Sequence, residues 1–219
     1  MLGRDELQYN LELVTAIEGR LAQSGIGRVV VVNRGLDMTS LAERPQRAFC
    51  LGADLLVSIH HDTVDANLME VKTAQGQQLR YNDRIEGYTV YYSSQNVHAD
   101  LSRSLGLRVA EALLAQGVVP ATPYQDAISD ELRRPVSSDL SVFDFQRLKV
   151  SQTSPIPAIL LEAGFLSNRK DMQRLQSAEY RTRIADGVVQ GLKAMCTRHP
   201  EIAGLSSGRA NRPQRCNLN

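Results

Sequence analysis

The run Pro157-Ala158-Ile159-Leu160-Leu161 is followed at once by a carboxylate, Glu162, and then by Ala163-Gly164-Phe165. An apolar stretch this short is far below the roughly 18 residues that cross a bilayer, and it reads as a buried strand. A carboxylate set directly against it is costly unless it has a partner or a task. Other segments repeat the strand pattern. Asp54-Leu55-Leu56-Val57-Ser58-Ile59-His60 reads as a buried strand that ends in polar residues, and Val29 to Val32 as a β-branched one. Gly87 to Tyr92 reads as a further strand, and Leu140 to Phe145 as a short one.

Helical patterns separate these runs. Leu7, Leu11, Val14, Ile17 and Leu21 recur at helical spacing, which predicts an amphipathic helix over 5–24, ended by Gly25 and Gly27. Residues 39–51 predict a second helix with Thr39 or Ser40 as its cap, and 99–116 a third with Leu101, Leu105, Val109 and Leu113 on one side. Asn168 caps a short helix to about Gln176, and 178–195 form the last one. Residues 62–86 are mostly polar and read as a long surface excursion, while Pro120, Pro123 and Pro135 make 117–139 irregular. Strands alternating with helices give an α/β class: a mainly parallel, twisted sheet flanked by helices, in a single domain over 1–198. The remainder, 199–219, is rich in Ser, Gly, Asn and Arg and is expected to be a disordered tail.

Composition narrows the function classes. Lys+Arg 25 against Asp+Glu 24 leaves a net charge of +1, without the basic excess that phosphate contacts require, so nucleic acid is not an expected partner. No apolar run is long enough to span a membrane, and Met1 to Glu6 lacks the apolar core of a signal peptide. Cys50, Cys196 and Cys216 are odd in number and lack metal-type spacing. Cys50 reads as a small core residue, and a bridge between Cys196 and Cys216 remains open.

In open α/β sheets, ligands gather beyond the carboxyl ends of the strands. Two of the strands close on functional side chains, His60 and Glu162, and Glu6 opens the first helix. One His and two Glu have the donor types of a hydrolytic zinc site, which uses three protein ligands and a water. Each also has a structural explanation. Glu6 suits the positive end of a helix dipole, His60 and His61 can be hydrogen-bonded polar residues, and His98 and His199 fall at surface positions. No phosphate loop and no Gly-x-Ser-x-Gly elbow is present.

Three segments resemble the zinc-dependent N-acetylmuramoyl-L-alanine amidases, the bacterial cell-wall amidases. Ser58-Ile59-His60 resembles the family's Ser-Ile-His, and Leu161-Glu162-Ala163-Gly164-Phe165-Leu166-Ser167-Asn168 resembles its Glu-x-Gly-Phe-x-Ser-Asn. Glu6 resembles the glutamate that opens its first helix, and Leu41 to Arg44 with Ala53-Asp54 fits its Leu-x-x-Arg…Ala-Asp run. The resemblance covers about residues 4–195. It implies that Glu6 and His60 are zinc ligands and that Glu162 is the catalytic carboxylate. The substrate it implies is peptidoglycan, cut at the amide between N-acetylmuramic acid and L-alanine, which places the protein in the cell envelope. The family also has an earlier strand ending in a further His ligand. Only five residues precede Glu6 here and none is His, so an N-terminally incomplete domain is expected; the alternative is that His61 or His98 completes the site. A non-catalytic peptidoglycan-binding or regulatory module, or a zinc carboxypeptidase acting on stem peptides, are the alternative functions.

Overall fold

The computed structural model describes residues 5–26, 28–35, 40–74, 77–121 and 133–204. Its most buried long strand is Ala158–Phe165 (β7), in which every residue but Glu162 is buried. On one side β7 pairs in parallel with Leu56–Asp62 (β1), and on the other it pairs antiparallel with Thr89–Tyr92 (β4). Val142–Phe145 (β6) runs parallel to β4, and Arg133–Ser137 (β5) closes that side antiparallel to β6. Among the described residues the order is therefore β1-β7-β4-β6-β5, with β1 and β5 at the two edges. Glu70–Ala74 (β2) and Gln77–Tyr81 (β3) form a separate antiparallel ribbon.

Three long helices cover one face of the sheet. Glu6–Gln23 (α1) contributes Tyr9, Leu13, Ile17 and Leu21 to the main core; Ala99–Ala115 (α3) contributes Leu105, Val109 and Leu113; Ala178–Arg198 (α6) contributes Ile184, Val188 and Met195. They pack on Val90, Val142, Ile159 and Leu161 of the sheet. The shorter helices are Glu43–Cys50 (α2), Lys149–Gln152 (α4) and Arg169–Gln176 (α5). The α/β class with a sheet flanked by helices is the one the sequence predicts. No helix among the described residues is long and apolar enough to cross a membrane.

The differences from expectation have local causes. Val29 to Val32 forms no strand: residues 28–31 are irregular and 32–35 turn, although Val29 still packs against the core. Helix α2 begins at Glu43 with Ala42 as its N-cap and no capping side chain, so Ser40 does not cap it, and Thr39 lies outside the described residues. Residues 199–204 are folded, not disordered: Pro200–Gly204 is a 3₁₀ turn, Ile202 is buried, and His199 bonds Ser104 and Glu201. Residues 205–219 of the expected tail lie outside the described residues. Cys50 is disulfide-bonded rather than a bare core thiol, while Cys196 is free and exposed, which removes the bridge considered for it.

The segment after Glu162 ties the polar excursion to the end of β7. Ser167 Oγ accepts from the Val64 amide, and the Ser167 carbonyl accepts from the Asn82 amide. The fully buried Asn168 caps α5 by accepting from the Lys170 and Asp171 amides, and its Nδ2 donates to the Asn82 and Ile85 carbonyls. Asp171 Oδ2, also buried, accepts from the Gly87 and Phe165 amides at 2.8 and 2.9 Å. A Cβ at Gly164 would stand 3.3 Å from that same oxygen, so the residue two after Glu162 has little room for a side chain. Asn168→Ala removes both the cap and two buried donations, and is expected to cost roughly 2–4 kcal/mol in denaturant unfolding.

Helices α3 and α6 approach closely at Gly187 and Gly191. A Cβ at Gly191 would lie 2.5 Å from Val109 Cα, a backbone atom that cannot swing aside. Gly191→Ala should therefore destabilise the fold by more than about 2 kcal/mol. Gly19→Ala is the contrasting substitution, because nothing lies within 4 Å of that position on exposed α1 surface. There the helix propensity of alanine should stabilise by about 0.5–1 kcal/mol. Thermal unfolding of the two variants checks both signs.

Candidate active site

The first turn of α1 and the carboxyl ends of β1 and β7 meet at one end of the sheet. His60 and Glu162 are partners in the β1–β7 register. In a parallel pair such partners leave the same face of the sheet, on backbones about 4.8 Å apart. The face is opposite the long helices: Leu160 packs there with Tyr91 and Phe143, whereas Ile159 and Leu161 join the main core. The β1 strand runs two residues beyond His60, to Asp62, with an irregularity in register between them.

Glu6 reaches this place from α1. Asp5 caps the helix by accepting from the Gln8 amide, which sets Glu6 in the first turn, where the helix dipole favours a negative charge. Glu6 Oε1 lies 2.9 Å from His60 Nδ1. The same oxygen accepts from Asn10 Nδ2 at 3.0 Å and from the His61 amide at 3.4 Å. The bond with His60 is the main cause that holds the Glu6 carboxyl down at about 2; partial burial opposes it, and Asn10 assists.

Glu162 is driven the other way. Burial pushes its carboxyl well above the usual carboxylate range, the negative neighbours Asp62 and Glu6 add to the rise, and Arg133 opposes it. Its Oε2 is sealed from solvent and has no hydrogen-bond partner among the described residues. Such an oxygen is expensive to bury unless it carries a proton or faces something that binds there. Arg133 lies across the aromatic floor of this face, with its guanidinium 4.7 Å from the Phe145 ring centre and 5.0 Å from that of Tyr91. Its Nη1 donates to the Tyr91 hydroxyl at 3.0 Å.

Neither substitute histidine joins this group. His61 alternates to the other face of β1, where it is buried with its ring centre 5.7 Å from that of Tyr9 and its Nδ1 2.7 Å from Asn10 Oδ1. Burial lowers it to about 4. His98 is the N-cap of α3, just past the carboxyl end of β4. Because β4 runs antiparallel to β7, that is the opposite end of the sheet from Glu162.

A tetrahedral zinc site with bonds of about 2.0–2.2 Å sets neighbouring donor atoms about 3.3 Å apart. The Glu6–His60 separation of 2.9 Å is within a few tenths of that, and the orphaned Glu162 oxygen stands on the adjoining strand. These residues fit part of a metal's coordination sphere. Among the described residues no group of three His, Cys, Asp or Glu is arranged to hold one. Sequence reasoning overlooked Asn10 and Arg133. Asn10 carried a usable signal, since it stands four residues after Glu6 and therefore on the same side of α1; Arg133 lay in a segment read as irregular.

The profile of a family described as N-acetylmuramoyl-L-alanine amidase matches residues 2–194. N-acetylmuramoyl-L-alanine amidase LytC of Bacillus subtilis (strain 168) is 24% identical over 187 residues, 85% of this chain and 30% of LytC. The chain thus spans less than a third of that relative's length. The crystal structure of the N-acetylmuramyl-L-alanine amidase Ami1 from Mycobacterium smegmatis superposes with a TM-score of 0.67 at 21% identity, over 90% of this chain and 79% of that one. The crystal structure of N-acetylmuramoyl-L-alanine amidase from Clostridium difficile 630 superposes with a TM-score of 0.63 at 25% identity, over 88% of this chain and 84% of that one. With Glu6, His60 and Glu162 gathered at one sheet end and the family profile covering nearly the whole described chain, the protein belongs to the N-acetylmuramoyl-L-alanine amidase family.

Proposed function

We propose that this chain is a zinc-dependent amidase that hydrolyses the bond between the lactyl group of N-acetylmuramic acid and the L-alanine of the peptidoglycan stem peptide. The observation that carries this reading is the sealed, unpartnered Glu162 oxygen beside the Glu6–His60 donor pair, in a chain of this family. Glu6 and His60 would hold the ion. When bound, zinc supplies a Lewis acid that polarises the scissile carbonyl and favours ionisation of the attacking water.

The rest is done by the chain's own groups. Glu162 is suited to proton transfer because burial and its negative neighbours raise its carboxyl toward the working range of a general acid–base. It takes a proton from the attacking water and delivers one to the nitrogen that leaves as the α-amine of L-alanine. The ionised Glu6 is poor in that role and good as a donor to a cation, since its carboxyl titrates at about 2. The substrate of this reaction lies in the cell envelope.

Digestion of purified sacculi, followed by mass spectrometry of the products, tests the reading. Intact stem peptides with a free N-terminal L-alanine are the expected product, and Glu162→Gln should lower their rate of release roughly 10²–10⁴-fold. Release of a single terminal amino acid would instead indicate a carboxypeptidase. Sacculus binding without turnover would indicate a recognition module.

A further inference from the structure

We propose that Asn10 is a positioning residue: its side-chain amide, oriented by His61, holds the Glu6 carboxylate in the pose from which Glu6 binds metal. The inference rests on the metal reading of Glu6 and His60 and goes beyond it to a residue that would touch neither metal nor substrate.

The hydrogen-bond chemistry fixes which way round the amide sits. An ionised carboxylate only accepts, so the Asn10 atom 3.0 Å from Glu6 Oε1 must be the NH₂ group. The amide oxygen then faces His61 Nδ1 at 2.7 Å, and that nitrogen must carry a hydrogen to meet it. A flipped amide would set its oxygen against the carboxylate, a repulsion in place of a bond. His61 is itself held on the side of β1 away from His60, buried and in ring contact with Tyr9. A rigid chain of contacts thus runs from the strand through Asn10 to Glu6.

The helix makes the arrangement compact. Glu6 and Asn10 are four residues apart on α1, and consecutive residues 60 and 61 of β1 point to opposite faces, so one helical turn grips both sides of the strand end. The His61 amide at 3.4 Å assists on the same Glu6 oxygen. Without Asn10, the Glu6 side chain, nearly half of it exposed, would sample its rotamers with fewer restraints.

The test is a cycle of zinc affinities on the full chain, measured by competition with a chromophoric chelator. Loss of a hydrogen bond that orients a metal ligand typically weakens affinity about 10–100-fold, and that is the loss expected for Asn10→Ala. Asn10 is only half-buried, so water can replace its amide at His61 and the variant keeps its fold. If Asn10 acts through Glu6, the same substitution made in a Glu6→Ala background changes affinity by less than about twofold, since the group it orients is gone. An equal loss in both backgrounds would mean general loosening and overturn the inference while leaving the metal reading intact. No loss in the native background would also overturn it. Absence of zinc binding by the unsubstituted chain, or indifference to Glu6→Ala, would remove the metal reading and this inference together.

Discussion

The site depends on one pairing, the parallel register of β1 on β7 that sets His60 beside Glu162. Side chains alternate between the faces of a strand, so a slip of one residue would send one of the two into the helical core and separate them. That register is pinned by the apolar residues on the opposite face, where Val57 and Ile59 of β1 and Ile159 and Leu161 of β7 pack under α1, α3 and α6. Burial of those side chains specifies the fold and, by alternation, delivers the polar pair to the other side.

Onto this pair α1 brings a second carboxylate, and the two carboxyls diverge. Glu6 sits at a helix N-terminus with three hydrogen-bonding neighbours on one oxygen and is held ionised. Glu162 sits on a nearly continuous apolar strand with negative neighbours and is pushed toward the protonated form. Environments that drive two carboxyls apart commonly divide their roles, one serving as a fixed negative charge and the other as a proton carrier. The loop after Glu162 adds rigidity. Ser167 and Asn168 bind the excursion over residues 62–86 to the end of β7, and Asp171 ties Gly87 to Phe165 beside it.

Much of this was legible in the residues. The apolar run before Glu162, the helical spacing of Leu7 to Leu21 and the Asn168 cap each reflect burial or backbone satisfaction within a short window, and each element lies where its pattern put it. What misled was context beyond the window. Val29 to Val32 has strand composition, yet β propensity is realised only in a ladder, and β1 pairs there with none of the described residues. Arg133–Ser137 contains Pro135 and read as irregular, but it is an edge strand, where a missing backbone donor is tolerated. The β2–β3 ribbon has no continuous apolar face, so no alternation announced it. The three site residues were each recognisable; that Asn10 and His61 brace one of them from behind needed coordinates, because the contact spans 51 residues.

The most direct test of the central claim, that α1 and β1 together present a metal-binding pair, is the zinc stoichiometry of the chelator-stripped and re-metallated chain. One zinc per chain, lost in His60→Ala, is the expected result. Absence of zinc at stoichiometric concentrations, or binding that His60→Ala leaves unchanged, would contradict it.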